Sequence, residues 1–140
     1  MESKELTIVI VTFKSESKIY SCLNSIPSNI NIIVVENSNN HNFKKKIEKM
    51  YSNVRCILSG DNVGYSIANN LGLKQVQTKF ALILNPDAVL GKDAINNFLL
   101  VAEKNTDFWL LGPSSYQQIK NLPQDKDLIE VNNLKGFAIF

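Results

Sequence analysis

The sequence is short of cysteine, histidine, net charge and long apolar runs, and each shortage excludes something. Its two cysteines, Cys22 and Cys56, sit inside apolar patterns rather than in a C-x-x-C spacing. They read as reduced core thiols of a cytosolic protein. The single histidine, His41, lies in an asparagine-rich loop and reads as a solvated residue rather than a catalytic base. A net charge of +2 is too small to suggest nucleic-acid binding by bulk electrostatics. No apolar run approaches the roughly 18 to 20 residues needed to span a bilayer. The first residues, Met1-Glu2-Ser3-Lys4-Glu5, are no signal peptide. Internal repeats, low-complexity tracts and linker compositions are also missing. The 140 residues therefore read as a single domain, 1–140, long enough to bury a real core.

What the sequence does contain is an alternation. Apolar residues at 44% and charged residues at 20% fit a soluble globular protein. Leu6 to Val11, Ile30 to Val35, Val54 to Leu58 and Phe80 to Leu84 are apolar runs of strand length. Between them, Ile19, Cys22, Leu23 and Ile26 recur at helical spacing behind Ser15 or Ser17 as N-caps, with Pro27 closing the segment. Phe43, Ile47, Met50 and Tyr51 give a second helical stripe. Gly64 to Val76 reads as a third helix with Ile67, Ala68 and Leu71 inward. Ala94, Ile95, Phe98, Leu99 and Ala102 form a fourth. Phe108 to Gly112 reads as a fifth strand with Trp109 in the core, and Ser114 to Asp127 as a loop. Leu128 to Val131 and Gly136 to Phe140 could form further strands. Strands apolar throughout and alternating with helices predict an α/β fold, a mostly parallel sheet with helices on both faces.

In such sheets ligands bind beyond the carboxyl ends of the strands, near the point where strand order reverses. Here those ends carry Thr12, Glu36-Asn37, Asp61-Asn62 and Asn85-Pro86-Asp87, all predicted on one edge. Any one of them could be a plain turn or cap; four together point to a ligand site. Lys44-Lys45-Lys46 lies near the start of a helix, where cations are not favoured, and reads as a solvated face. A weak contact with anionic lipid head groups is its alternative.

Four segments carry a resemblance: “VIVTF” followed by a helix, “IIVVENSNN”, “NVGYSIANNLGL” and “FALILNPDAVL”. In this order and spacing they resemble the donor-binding half of family 2 glycosyltransferases, Rossmann-like enzymes of the GT-A fold that use nucleotide sugars. The LNPD form looks most like the rhamnosyltransferase-like branch that builds bacterial surface polysaccharides. The likeness runs from Leu6 to Phe140 and is tightest from Asn62 to Asp87.

The resemblance implies a donor site. Asp87 matches the last aspartate of the family's metal-binding D-x-D motif, with Asn85 in place of the first, so a divalent cation, Mg²⁺ or Mn²⁺, would rest on one carboxylate. A turn residue or a cap of the Ala94 helix is the other reading of Asp87. Glu36 stands where the family has an aspartate that accepts the ring N–H of uracil or thymine, beside Asn37. Thr12 and the backbone around Phe13 match its contact to the base. Asn62, Gly64, Ala68 and Asn69 match a run that lies beside the nucleotide and diphosphate, where helix N–H groups favour anions. Asp61 is expected to shape that turn. The implied partners are a nucleoside-diphosphate sugar, dTDP- or UDP-linked, and a glycan or lipid-linked acceptor, in the cytoplasm or peripherally at the inner face of the membrane.

One part of the family's machinery is not matched. Its general base lies C-terminal to a strand that looks like “LKGFAIF”, and the sequence ends within that strand at Phe140. Asp125, Asp127 and Glu130 do not match the base position. The expected fold is therefore C-terminally incomplete, without the acceptor-binding part, and its apolar last strand would invite pairing with a partner chain. The alternative to a transferase portion is a non-catalytic nucleotide-sugar-binding module, or a truncated remnant acting with such a partner. A nucleotidyltransferase would show a glycine-rich basic loop after the first strand, which “TFKSES” does not supply.

Overall fold

The computed structural model describes residues 5–105, 107, 110–113 and 138–139. Within them the order is β1 (Leu6–Thr12), α1 (Glu16–Asn24), β2 (Asn31–Glu36), α2 (His41–Met50), β3 (Val54–Leu58), α3 (Tyr65–Leu73), β4 (Phe80–Leu84), α4 (Ala94–Lys104) and β5 (Ala138–Ile139). The sheet runs β3-β2-β1-β4-β5, with the first four strands parallel and β5 antiparallel to β4. From β1 the chain steps outward to β2 and β3, then returns so that β4 lies on the other side of β1. Strand order therefore reverses between β1 and β4.

Every residue of β1 is buried, as its unbroken apolar run predicts for a central strand covered on both faces. Leu6, Ile8 and Ile10 join Ile32 and Val34 in a core with Ile19 and Leu23 of α1, Phe43 and Ile47 of α2, and Ile95 and Leu99 of α4. Val9, Val11, Ile33 and Val35 face the opposite way and pack on Ala68 of α3. On that side α3 approaches closely: a Cβ on Gly72 would stand 2.5 Å from Val9 Cγ1.

The helical stripes differ from expectation in two places. Ile67 is 57% exposed and Leu71 only half-buried, because Ala68, Asn69 and Gly72 take the sheet-facing positions. Small residues there let the helix settle onto the sheet, which turns the bulkier ones aside. Met50 is 55% exposed at the last residue of α2, where Tyr51 instead packs on the core and its hydroxyl donates to Asn24 Oδ1 (2.9 Å).

The lysine run is also not uniformly solvated. Lys44 Nζ donates to the Cys56 carbonyl and to Glu48 Oε1 (3.0 Å), while the Cys56 N–H donates to the same oxygen (2.8 Å). Side chains of α2 thus occupy backbone groups of the edge strand β3, which discourages pairing with another chain. The Cys56 N–H holds the Glu48 carboxyl below its ordinary range, against desolvation and helped by the Lys44 ammonium. Lys46 lies over the Tyr20 ring, 5.2 Å from its centre.

Leu110 to Pro113 form no strand, contrary to the expected fifth strand, although Leu111 is buried in the larger core. The readings of Phe108, Trp109, Ser114–Asp127 and Leu128–Val131 lie outside the described residues. The β5 pair falls within the strand expected at 136–140, opposite Ile83 and Leu84.

Candidate functional site

The carboxyl end of β4 turns sharply. The Ala88 N–H donates to the Asn85 carbonyl (3.1 Å), closing a β-turn with Pro86 in its second position, where the ring fixes φ. From α1, Cys22 Sγ donates to the same carbonyl at 3.6 Å. The Leu90 N–H donates to Ser25 Oγ (3.0 Å), which itself donates to the Cys22 carbonyl (2.6 Å). The end of α1 thus fastens both ends of the 85–90 loop. Asp87 is exposed and makes no hydrogen bond or ion pair with a described residue. The N-cap position of α4 belongs to Asp93, so Asp87 does not cap that helix.

Across the crevice, Asn37 is buried and both ends of its amide are used. Its Nδ2 donates to Asn62 Oδ1 (3.0 Å) and its Oδ1 accepts from the Val63 N–H (3.1 Å). Asn62 Oδ1 also accepts from the Gly64 N–H (3.1 Å), and Asp61 Oδ1 from the Asn62 N–H (2.7 Å), the turn-shaping role expected of Asp61. Gly64 precedes α3 at φ 80°, ψ 166°, a region that side chains other than hydrogen essentially never enter. Tyr65 then begins the helix and its hydroxyl reaches across to donate to Asn85 Oδ1 (3.0 Å).

Glu36 behaves differently from its expected role. It is 1% exposed; Oε1 accepts from the N–H (3.0 Å) and hydroxyl of Ser38, and Oε2 accepts from the Asn40 N–H. Asn40 in turn caps α2 through the Phe43 N–H (3.0 Å) and donates to Glu16 Oε1 (3.1 Å). The carboxylate is committed to its own β2–α2 loop, so a base N–H would have to compete for the remaining lone pair of Oε2. The extra methylene relative to aspartate is what lets it fold over that loop.

Together these elements enclose an open cleft of about 350 Å³ at the reversal between β1 and β4. It lies at the lower end of the range typical of small-molecule sites. Phe13, Asn37, Asn62, Asn85 and Asp87 come together in its wall. Thr12, Glu36, Gly64 and Asn69 do not line it. Thr12 Oγ1 is buried without a hydrogen-bond partner among the described residues, and so is Asn69 Oδ1, whose Nδ2 donates to the Tyr65 carbonyl (3.0 Å). Lys18 and Tyr65 also line the cleft, and sequence reasoning missed them. Their signal was positional: each lies in the first turn of a helix that follows a site loop.

Burial, followed by the nearby Asp87 charge, pushes the Cys22 thiol up to about 12, so it stays a protonated donor to Asn85. Among the described residues no group of three or more His, Cys, Asp or Glu side chains is placed to hold a metal. The free Asp87 carboxylate fits a hard cation such as Mg²⁺, which commonly keeps several waters and takes one or two carboxylates plus phosphate oxygens.

Residues 7–138 match the family described as “Glycosyl transferase family 2”. The chain belongs to this family. It is 29% identical over 113 residues to the low-salt glycan biosynthesis hexosyltransferase Agl10 of Haloferax volcanii, covering 78% of this chain and 36% of that protein. It is 31% identical over 111 residues to the teichoic acid poly(glycerol phosphate) polymerase of Staphylococcus epidermidis, covering 74% of this chain and 15% of that protein. The chain thus spans about a third or less of the curated relatives it matches. Among solved structures its fold is similar to S. aureus TarS 1-349 (TM-score 0.64, 21% identity, 73% of this chain and 33% of that one). It is also similar to the mannosyltransferase PcManGT of Pyrobaculum calidifontis in complex with GDP-Man and Mn²⁺ (TM-score 0.69, 14% identity, 81% of this chain and 36% of that one). These neighbours share the α/β fold expected from the strand and helix pattern, in the GT-A form that the family resemblance implied.

Proposed function

We propose that this chain is the donor-binding portion of a glycosyltransferase that moves a sugar from a nucleoside-diphosphate sugar, dTDP- or UDP-linked, to a glycan or lipid-linked acceptor in surface-polysaccharide synthesis. The observation that carries this reading is the joining of Asn37, Asn62, Asn85 and Asp87 in one cleft at the strand-order reversal of a family 2 domain. The Asn85-Pro86-Asp87 form supports the rhamnosyltransferase-like branch. The chain spans only part of its relatives, so transfer itself belongs to the whole protein.

In this reading Asp87 holds a divalent cation, and the GDP-Man and Mn²⁺ of the Pyrobaculum complex support one. When bound, the cation offsets negative charge on the departing diphosphate. The Pro86 turn, Cys22 and Ser25 keep Asp87 at the cleft mouth. Asn62 stands beside the diphosphate at the start of α3, held there by the Gly64 N–H that its Oδ1 accepts, with Asn69 bracing that helix from within. Phe13 offers an exposed ring to the base, next to the Thr12 carbonyl that receives the Asn37 N–H (2.8 Å). Glu36 meets the base only through the loop it holds. No helix among the described residues is long and apolar enough to cross a membrane. The family resemblance, not that absence, is the ground on which we place the protein in the cytoplasm or peripherally at the inner face of the membrane.

Calorimetric titration with UDP, dTDP and GDP, in Mn²⁺ and then in chelator, tests the proposal. Metal-dependent binding of one nucleotide is expected, and Asp87→Ala should abolish its metal-dependent part while the circular dichroism spectrum stays unchanged. Unchanged affinity in that variant removes the metal assignment; no binding of any nucleotide to the natural chain removes the donor site.

A further inference from the structure

We propose that Lys18 is the diphosphate-facing cation of the cleft, supplying the positive charge that a metal held by Asp87 alone leaves unmet; this rests on the donor-site reading above. Lys18 lies in the first turn of α1 and lines the same cleft as Asp87. Its polar neighbours are committed elsewhere: Ser15 Oγ donates to the Phe13 carbonyl (2.9 Å), and Glu16 Oε1 accepts from Asn40 Nδ2 (3.1 Å). The Lys14 ammonium lies over the Phe13 ring, 5.4 Å from its centre. Lys18 is left without a hydrogen bond or ion pair among the described residues, and so is Asp87. Its backbone is fixed nevertheless, because its N–H donates to the Ser15 carbonyl (3.0 Å) and the next residue, Ile19, is wholly buried.

Two opposite charges that share a cleft without pairing are each available to a third group. Both phosphates of a nucleoside-diphosphate sugar are ionised at neutral pH. A divalent cation on a single carboxylate presents one net positive charge to that pair, and the Lys18 ammonium presents the other. Lysine suits this task as a compact point charge on a long stem. Without a metal the two side chains act against each other: Lys18 attracts the diphosphate and Asp87 repels it.

The test is calorimetry with inorganic pyrophosphate, UDP, dTDP and GDP on the natural chain, K18Q, K18R, D87N and K18Q/D87N, in Mn²⁺ and in chelator. In Mn²⁺, K18Q should weaken pyrophosphate and the preferred nucleotide by about tenfold, as expected for one charge-assisted contact. K18R should retain most of the affinity. In chelator, D87N should bind pyrophosphate several-fold more tightly than the natural chain, and the double variant should lose that gain. Lys18 is exposed and touches no described partner, so an unchanged melting temperature is expected for K18Q. Equal affinity of K18Q and the natural chain overturns the assignment while nucleotide binding keeps the donor site standing. Failure of the natural chain to bind pyrophosphate or any nucleotide overturns both. Lys18-dependent pyrophosphate binding with no nucleotide binding upholds Lys18 and overturns the donor reading.

Discussion

Cys22 Sγ donates to the main-chain carbonyl of Asn85 at 3.6 Å, joining the last turn of α1 to the turn that carries Asp87. The same carbonyl closes the Asn85–Ala88 turn, so one acceptor serves both the local bend and its attachment to the core. Cys22→Ala removes a wholly buried thiol and one of the two donors to that oxygen. It should cost about 1–2 kcal/mol, mostly from the space left in the core. The shift in urea midpoint at constant m-value measures it.

Glu36 should prove a structural residue before a ligand contact. Its two oxygens accept donors from Ser38 and Asn40, and among the described residues no lysine or arginine pairs with it. Glu36→Gln keeps the shape but turns one oxygen into an N–H₂ group that faces another donor. The expected loss is about 1.5–3 kcal/mol, the range for hydrogen bonds to charged groups. Glu36→Asp, one methylene shorter, should also lose the reach to Asn40 and loosen the α2 cap. Chemical denaturation of both variants, with nucleotide titration of each at a temperature where it is folded, separates the loop role from a base contact. A variant of full stability that has lost only nucleotide preference would sink the structural role.

Apolar runs alone placed the first four strands within a residue or so: β1 is buried throughout and its run is almost unbroken, and the edge strand β3 stayed legible although Arg55 in its middle is exposed. The turn at Asn85-Pro86-Asp87 was equally plain, since proline and flanking polar residues stop an apolar strand in a way few other sequences do. Two features were harder to read. The inward face of α3 consists of Ala68, Asn69 and Gly72, and a search for bulky residues finds Ile67 and Leu71 instead. The commitment of Glu36 to Ser38 and Asn40 depends on how the stretch from Glu36 to Asn40 folds back on itself, which periodicity does not encode.

Gly72 and Val9 should be energetically coupled. A Cβ at position 72 would lie 2.5 Å from Val9 Cγ1 and 3.1 Å from Val35 Cγ2, both on the most buried part of the sheet. Gly72→Ala gains helix propensity, about 1 kcal/mol, but must lift α3 from the strands at an overpacking cost of about 1–3 kcal/mol. Val9→Ala alone leaves a cavity. The double variant should be more stable than the sum of the two single effects predicts, because each change makes room for the other. Additive effects in a double-mutant cycle would mean that the helix and sheet do not meet as tightly as Gly72 and Val9 indicate.

The two buried thiols make stability fall on the alkaline side. Burial pushes Cys22 up to about 12, helped by the Asp87 charge, and burial likewise pushes Cys56 up to about 12, with the Lys44 ammonium opposing. In the unfolded chain both titrate near their ordinary value of 9.0. Between these values the unfolded chain gives up protons that the folded chain keeps, so the unfolded state gains as pH rises. The contribution is therefore whole below about pH 9 and is lost progressively toward pH 12. Each thiol adds a slope of about 1.4 kcal/mol per pH unit across that interval. Lysines and tyrosines titrate in the same range, so the measurement compares urea midpoints of the natural chain with Cys22→Ala and Cys56→Ala from pH 7 to 10.5. Each variant should start lower and decline less steeply, its curve closing on that of the natural chain at high pH. Parallel curves over the whole range would mean that neither thiol is held protonated by the fold, and that the Cys22 tether to Asn85 is as open to water as the Asp87 carboxylate beside it.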